Sequence, residues 1–272
     1  MTSLGLHVIL GDGSGDGNTR LPRIGYDNAG VGAAVTADST ATGYTAASLF
    51  DWKPYTYWKP ATGGSHHVTV IPASTATVDY FAVAQHNLGT NGGTIQLQYS
   101  LDSGASWLDA TPSLAPVSDE AIWRSFVAIT ASHWRVLVVS TPASVVAIVA
   151  FGSVYQPYFG NLPGFSPPKL ARSTEEHPTE SDAGLFLGSS VLSRHLETEI
   201  TFNNMDVDDC YNYWLPFMKH AERGVPFFLA WLIEDHPTDI ALMKRDGAMP
   251  KPSFMRHGVM TCGIRMRGLS PS

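Results

Sequence analysis

Short runs of alternating and apolar residues recur about every ten positions through the middle of this chain. Val78–Ala84 divides its apolar side chains between two faces, and Thr94–Tyr99 sets Ile95, Leu97 and Tyr99 against two glutamines. Alternation with a period of two places successive side chains on opposite faces of a strand. Glycine-rich turn segments separate the runs. The pattern predicts a mainly β protein built around an antiparallel sandwich.

Further along the chain, two runs differ from simple alternation. Trp134–Val139 and Val145–Phe151 are rich in β-branched residues, which favours strands that are buried on both faces. Near the C-terminus, Leu196–Phe202 alternates with acidic residues, Val225–Ile233 is fully apolar, and His257–Arg267 alternates again. These segments predict a second, smaller β unit.

The composition limits the classes of protein to consider. With 44% hydrophobic and 15% charged residues, the 272-residue chain has too much apolar content for disorder. A formal net charge of −7 and no basic run argue against nucleic-acid binding. The longest apolar stretch, Ser144–Phe151, is too short to span a bilayer, and the N-terminus has no basic region typical of a signal peptide. We therefore expect cytoplasmic synthesis, no membrane insertion and no nucleic-acid partner.

The two cysteines, Cys210 and Cys262, are too few for a disulfide framework and lack the Cys-x-x-Cys spacing of zinc or redox sites. We expect reduced cysteines that act as small buried hydrophobes. The Gly11–Asn18 loop resembles the first half of a calcium loop, but Arg23 stands where a bidentate glutamate is needed. No metal or cofactor is expected.

One helix is predicted at about 205–223. Asn203 or Asn204 offers an N-cap, aspartates occupy the first turn, and Gly224 ends the helix. Pro216 lies inside the segment and should kink it. The organisation expected for the whole chain has four parts: an N-terminal strand (Leu4–Leu10) and Gly/Asp loop at 1–30, a sandwich at 31–155, a proline-rich connector at 156–185, and a second β unit at 186–272. We expect residues 1–30 to pack with this second unit.

The loop Ala46–Trp58 is rich in aromatic residues, among them Trp52, Tyr55, Tyr57 and Trp58. Aromatic faces with polar tips suit contact with a sugar or a protein partner, but the same residues also plug cores. The residues predicted to contact a glycan or partner are Trp52, Tyr55, Tyr57 and His86. The sequence shows no catalytic motif with mechanistic spacing, so we expect no enzymatic activity and no catalytic residue.

The loop and a later turn together resemble the discoidin, or galactose-binding-like, family. The residues that match its segments are Ala47, Ser48, Leu49, Asp51, Thr56 and Trp58, then Ser100, Asp102, Gly104 and Trp107. The resemblance implies a jelly-roll sandwich in which Trp58 plugs one end. It says little about function, because one fold hosts many functions.

A second resemblance is to tailed-bacteriophage distal-tail and baseplate-hub proteins. It rests on the texture of His86–Trp107 and on a C-terminal pattern formed by Glu199, Phe202, Arg223, Pro226, Phe227, Phe228 and Trp231. It implies a ring-forming β domain beside the sandwich and a structural role in a virion tail assembled in the host cytoplasm. The implied partners are other copies in a hexameric or trimeric ring, the tail tube, the hub and the tape measure. The alternative is a carbohydrate-binding adhesin that recognises glycan on the host cell surface.

Overall fold

The computed structural model describes residues 21–157 and 165–269, which are predominantly β-structure. The strands are β1 (Arg23–Gly25), β2 (Ala34–Ala37), β3 (Gly64–Ile71), β4 (Ala76–His86), β5 (Thr94–Ser100), β6 (Leu108–Asp109), β7 (Ile122–Ala131), β8 (His133–Ser140), β9 (Val146–Gly152), β10 (Arg172–Glu180), β11 (Phe186–Asp206), β12 (Phe227–Ala230), β13 (Ile240–Arg245), β14 (Ser253–Arg256) and β15 (Val259–Leu269).

Two antiparallel sheets form a jelly-roll sandwich, as the sequence predicts. One has five strands in the order β2-β3-β8-β5-β6, and the other has three in the order β7-β4-β9. Their facing side chains form one apolar core, in which Trp58 and Trp134 are fully buried. The Trp58 indole also donates a hydrogen bond to the carbonyl of Ser39 at 3.2 Å. The implied role of Trp58 as a core plug is therefore confirmed.

Two strands of the three-stranded sheet, β4 and β9, are buried on both faces. Every residue of β9 is buried, as its β-branched sequence predicts, and so are seven consecutive residues of β4. Phe81 and Val83 face the core of the sandwich, whereas Tyr80 and Ala82 face the opposite way. A third sheet covers that second face.

This third sheet has seven strands in the order β1-β12-β13-β15-β11-β10, with β14 paired to β15. The short N-terminal strand β1 pairs with β12, so that Arg23 lies opposite Ala230. This sheet therefore combines a strand that precedes the sandwich in the sequence with strands that follow it. The predicted strand Leu4–Leu10 and the loop Gly11–Asn18 lie outside the described residues.

Strand β10 corrects the prediction of an irregular connector across 156–185. It pairs along its length with β11 and forms the outermost strand of the sheet. Proline has no backbone N–H to donate to a neighbouring strand. An edge strand tolerates Pro178, because it has a neighbouring strand on one side only. The outer part of this hairpin is exposed, including Leu185, Phe186 and Leu187.

The predicted helix is present but begins later than expected. It consists of an α-helical turn (Val207–Asp209), a π-helical segment (Cys210–Trp214) and an α-helix (Leu215–Glu222). Asp206 is the N-cap and accepts a hydrogen bond from the Asp208 N–H. The predicted caps Asn203 and Asn204 lie within β11 instead. No helix among residues 21–157 and 165–269 is long and apolar enough to cross a membrane.

The π-helical segment accounts for Pro216. This residue lacks an N–H and cannot donate to the carbonyl four residues earlier. Just before it, the Leu215 N–H bonds to the carbonyl of Cys210, five residues back. The wider turn replaces the simple kink expected from the sequence.

The elements stack in four layers: the five-stranded sheet, the three-stranded sheet, the seven-stranded sheet and the helix. Between the second and third layers lies a shared core that includes Tyr80, Trp123, Phe228 and Leu242. The rings of Tyr80 and Trp123 stack with centroids 4.7 Å apart. The sandwich and the second β unit are therefore joined by an apolar interface.

Candidate functional site

The aromatic loop divides its side chains between the interior and the surface. Trp52 has a φ of 61° and only 7% of its surface exposed, and its ring lies against His220 and Phe228. It belongs to the core between the two units, so the prediction that it contacts an external glycan is wrong. Tyr55 is 71% exposed, and Tyr57 is half-buried.

Asp51 holds this loop in shape. Its carboxylate accepts hydrogen bonds from the Lys53 N–H at 2.8 Å and from the Thr56 hydroxyl at 2.8 Å. An aspartate that bonds to nearby backbone in this way stabilises a turn. With the loop held in this conformation, the side chain of Trp52 packs into the interior. Tyr57, which follows the turn, lines a cleft.

This cleft has a volume of about 720 Å³ and lies where the sandwich meets the seven-stranded sheet. Two of the four predicted residues, Tyr57 and His86, line it. Most of its walls come from five parts of the chain: Tyr57, the end of β4 with the loop 84–90, the loop 117–121, Lys169, and β13 at 240–242. Val145, Leu196 and Leu269 add apolar surface from β9, β11 and β15 and their flanks. The volume is within the roughly 300–1,000 Å³ typical of ligand-binding clefts.

His86 fixes one wall of the cleft and is itself only 5% exposed. Its Nε2 lies 2.9 Å from the carbonyl of Glu120, and its Nδ1 lies 3.3 Å from the Leu88 N–H. Because a carbonyl only accepts and an N–H only donates, the ring is neutral with its proton on Nε2. Burial lowers the pKa of His86, which favours the same neutral form. Both nitrogens are occupied within the protein, so His86 positions the wall and leaves ligand contact to its neighbours.

Asp119 and Thr90 connect the two loops at the outer rim. The Thr90 N–H and hydroxyl donate to the two carboxylate oxygens of Asp119, at 3.0 and 2.6 Å. Partial burial alone would raise the pKa of Asp119, but the hydrogen bonds from Thr90 outweigh it and leave the pKa below its ordinary value. The rim therefore carries an ionised carboxylate at neutral pH.

Lys169, in the segment before β10, closes the cleft on the side of the second β unit. Its Nζ lies 2.9 Å from a carboxylate oxygen of Glu120, and its backbone N–H donates to Asp239 at 2.9 Å. Both side chains of the Lys169–Glu120 pair are about one-third exposed, so we assign the pair a small effect on stability. Its consequence is local: the pair neutralises two charges at the cleft and bridges the two units.

The lining can form many directional hydrogen bonds with a neutral polar ligand. It offers amides at Gln85 and Asn87, hydroxyls at Thr90 and Ser118, and an aromatic ring at Tyr57. Within the described ranges, no group of three or more histidine, cysteine, aspartate or glutamate residues could hold a metal ion. The arrangement suits binding of a polyhydroxylated molecule.

Sequence patterns indicated only part of this cleft. Asp119, Glu120 and Lys169 lie in loops without a periodic signal and meet only because the second unit packs against the sandwich. Gln85 has a φ of 55°, an unusual backbone conformation that pure alternation along β4 does not indicate.

Comparisons with known proteins found similarity among solved structures only. No protein-family model matches the chain, and no curated protein matches it. One similar structure is CpGH89CBM32-5 from Clostridium perfringens, solved in complex with GalNAc-beta-1,3-galactose. It is 16% identical with a TM-score of 0.42, and the match covers 47% of this chain and all of that module.

Two further structures are also named for carbohydrate binding. The chitosan-binding module 1 of a chitosanase/glucanase from Paenibacillus sp. IK-5 is 21% identical, with a TM-score of 0.40, over 47% of this chain and 98% of the module. The CBM32 of AlyQ, solved with 4,5-unsaturated mannuronic acid, is 24% identical, with a TM-score of 0.37, over 43% of this chain and 92% of that module.

Proposed function

We propose that this chain is a non-catalytic carbohydrate-binding protein whose ligand occupies the cleft between the sandwich and the second β unit. The observation that carries the proposal is the composition of the cleft: amides, hydroxyls and the carboxylates of Asp119 and Glu120 lie among apolar side chains around a space of about 720 Å³ beside Tyr57. A saccharide presents hydroxyl groups that both donate and accept, together with an apolar ring face. Amide side chains can form hydrogen bonds with the hydroxyl groups, and an aromatic ring can stack on the apolar face.

The rigidity of the cleft supports the same proposal. His86, Asp119 and the Lys169–Glu120 pair are each held by hydrogen bonds within the protein. A preformed site avoids the cost of ordering loops when a flexible saccharide binds.

The test is a glycan array followed by titration calorimetry with the oligosaccharide that binds best. Tyr57→Ala is expected to weaken binding about tenfold or more, because stacking on an aromatic ring contributes on the order of 1 kcal/mol or more. Tyr55→Ala is the matched control from the same loop, since Tyr55 is 71% exposed and does not line the cleft. Absence of binding to every glycan, or sensitivity to Tyr55→Ala alone, would count against the proposal.

A second candidate is a structural subunit of a phage tail tip, and the β10–β11 hairpin favours it. Leu185, Phe186 and Leu187, each at least 65% exposed, follow one another beside its turn. Exposed apolar side chains grouped in this way are characteristic of protein interfaces. An isolated carbohydrate-binding protein would have no role for these exposed apolar side chains.

Size-exclusion chromatography with light scattering separates the two candidates. A structural ring subunit is expected to form a closed oligomer at micromolar concentration, and Phe186→Ser should shift it to the monomer. Tyr211→Ser is a control, because Tyr211 is comparably exposed on the helix, away from the hairpin. A wild-type protein that stays monomeric would exclude an autonomous ring and would leave the carbohydrate proposal unaffected.

A further inference from the structure

The two cysteines lie side by side in the core beneath the helix. Cys210 begins the π-helical segment, and Cys262 lies on β15, in the interior of the seven-stranded sheet. Cys210 is 5% exposed and Cys262 is 1% exposed. Their Sγ atoms are 2.7 Å apart and are not bonded to each other.

This separation is much closer to a covalent bond than to ordinary contact between thiols. It exceeds the length of a disulfide bond by only roughly 0.7 Å. The neighbouring contact between Cys210 Sγ and Met205 Sδ, at 3.6 Å, shows the usual spacing of unbonded sulfur atoms in the same cluster. The two sulfur atoms therefore need to move only a short distance to reach bonding distance.

We propose that Cys210 and Cys262 form an intramolecular disulfide that fastens the helix to the seven-stranded sheet. The oxidant is a low-molecular-weight disulfide such as oxidised glutathione. The thiolate of one cysteine attacks a sulfur of glutathione disulfide and releases one glutathione thiolate. The second protein thiol, after losing its proton, then attacks the mixed disulfide and releases the other glutathione. Two protein thiols are oxidised, and one glutathione disulfide is reduced to two thiols.

The bond forms during folding, before the site is closed. Burial raises the pKa of both thiols, and a protonated thiol is a poor nucleophile. Tyr155, Met205 and Trp214 belong to the same apolar core as the two cysteines. Once the helix packs down, this core keeps small oxidants and reductants away from the sulfur atoms. The native protein is therefore expected to keep whichever redox state it folded in.

The cross-link adds a covalent constraint between the helix and the seven-stranded sheet, which meet mainly through apolar packing and a hydrogen bond from Arg245 to the carbonyl of Ala221. The two cysteines are 52 positions apart, so the bond closes a long loop in the unfolded chain. Loops of this length give a stabilisation that corresponds to an increase in Tm on the order of 10 °C for a chain of this size.

The test refolds the full chain in parallel, in a glutathione redox buffer and in a strong reductant, and then counts thiols. Each product is denatured, alkylated and weighed by mass spectrometry. The oxidised sample is expected to take up no alkyl group and the reduced sample two, and peptide mapping should recover a linked Cys210–Cys262 pair. Thermal unfolding should give the higher Tm for the oxidised sample.

A double variant, Cys210→Ala with Cys262→Ala, controls for any effect of the buffer. Its Tm should be the same after both refolding treatments. Two alkylated cysteines in wild-type protein from the redox buffer would overturn the proposal, because alkylation after complete unfolding does not depend on access in the fold. Equal Tm values for cross-linked and reduced wild-type protein would overturn the stabilising role.

Discussion

His86 shows how a single buried side chain shapes the candidate site. Its two ring nitrogens hold the carbonyl of Glu120 and the N–H of Leu88, so one neutral tautomer connects two loops. Protonation would place a second N–H against the N–H of Leu88, which cannot accept it. The wall of the cleft therefore depends on the charge state of this histidine.

His86→Leu is expected to lower the free energy of unfolding by about 2 kcal/mol, because two buried backbone groups lose their partners. The pKa of His86 is lower in the folded state than in the unfolded state. The unfolded chain therefore takes up a proton first, so stability should fall as the pH drops below about 6.5. Urea titrations between pH 5 and pH 8 should show this slope in wild type and a shallower one in His86→Leu. His257→Gln, at an exposed histidine, is the control, and equal slopes in all three proteins would contradict the assignment.

Burial shifts the pKa of Asp79 as well, but upward, in the direction opposite to that of His86. Asp79 is 5% exposed beneath the junction of the two units, and burial raises its pKa to about 6 even though its carboxylate accepts the Val154 N–H at 2.7 Å. Between about pH 4 and pH 6, the Asp79 carboxyl group therefore keeps its proton in the folded state and has lost it in the unfolded state. Its stabilising contribution is full below about pH 4 and is lost as the pH rises to about 6.

Asp79→Asn keeps an oxygen for Val154 and removes the buried charge. We expect it to raise the free energy of unfolding by about 1–2 kcal/mol at pH 7 and to have little effect at pH 4. Denaturant midpoints at the two pH values measure the difference. Asp182→Asn, at the exposed hairpin turn, is the control. Asp208→Asn is unsuitable, because Asp208 lies in the first helical turn, where a negative charge stabilises the helix. A loss of stability in Asp79→Asn at pH 7 would contradict the account.

At the scale of elements, the cleft depends on two loops that touch through backbone. Gly89 lies against Ser118, and a Cβ at position 89 would come within 2.4–2.6 Å of three Ser118 backbone atoms. Backbone cannot move aside as a flexible side chain can. Only glycine allows the loops 84–90 and 117–121 to approach this closely.

Gly89→Ala is expected to separate the two loops and to weaken saccharide binding at least tenfold, while most of the fold survives. Thr90 would then lose its short contacts with Asp119, which amide hydrogen exchange at the Thr90 N–H would reveal as faster exchange. Ser113→Ala, in an exposed loop outside the cleft, is the control. Unchanged affinity together with unchanged exchange would show that the loops do not form the site as described.

For the whole molecule, the shared core predicts that the sandwich and the second unit unfold together. Trp52 lies in that core against Phe228, and removing a large buried aromatic side chain costs about 3–5 kcal/mol. Calorimetry should give one transition for wild type and for Tyr55→Ala. Trp52→Ala should lower the transition markedly or divide it into two. Two transitions in wild type would contradict a common core.

The sequence predicted the regular parts of this architecture because strand alternation and β-branched runs are local signals. It identified β9 as a doubly buried strand and placed Tyr57 and His86 among the candidates for the site. The same prediction for Trp134–Val139 was wrong, because the residues of β8 alternate between buried and partly exposed positions. The sequence also misassigned Trp52, since an aromatic residue at a loop tip looks the same whether it meets solvent or another unit. Asp119 and Lys169 went unnoticed because long-range packing, which no local pattern encodes, brings them together.

The most direct test of the central claim is a crystal structure of the chain with the oligosaccharide that binds best on the array. The account predicts electron density for the sugar in the cleft, with a ring against Tyr57 and hydroxyl groups within hydrogen-bond distance of Asn87 or Asp119. Sugar bound elsewhere on the sandwich, with the cleft filled only by water, would contradict it.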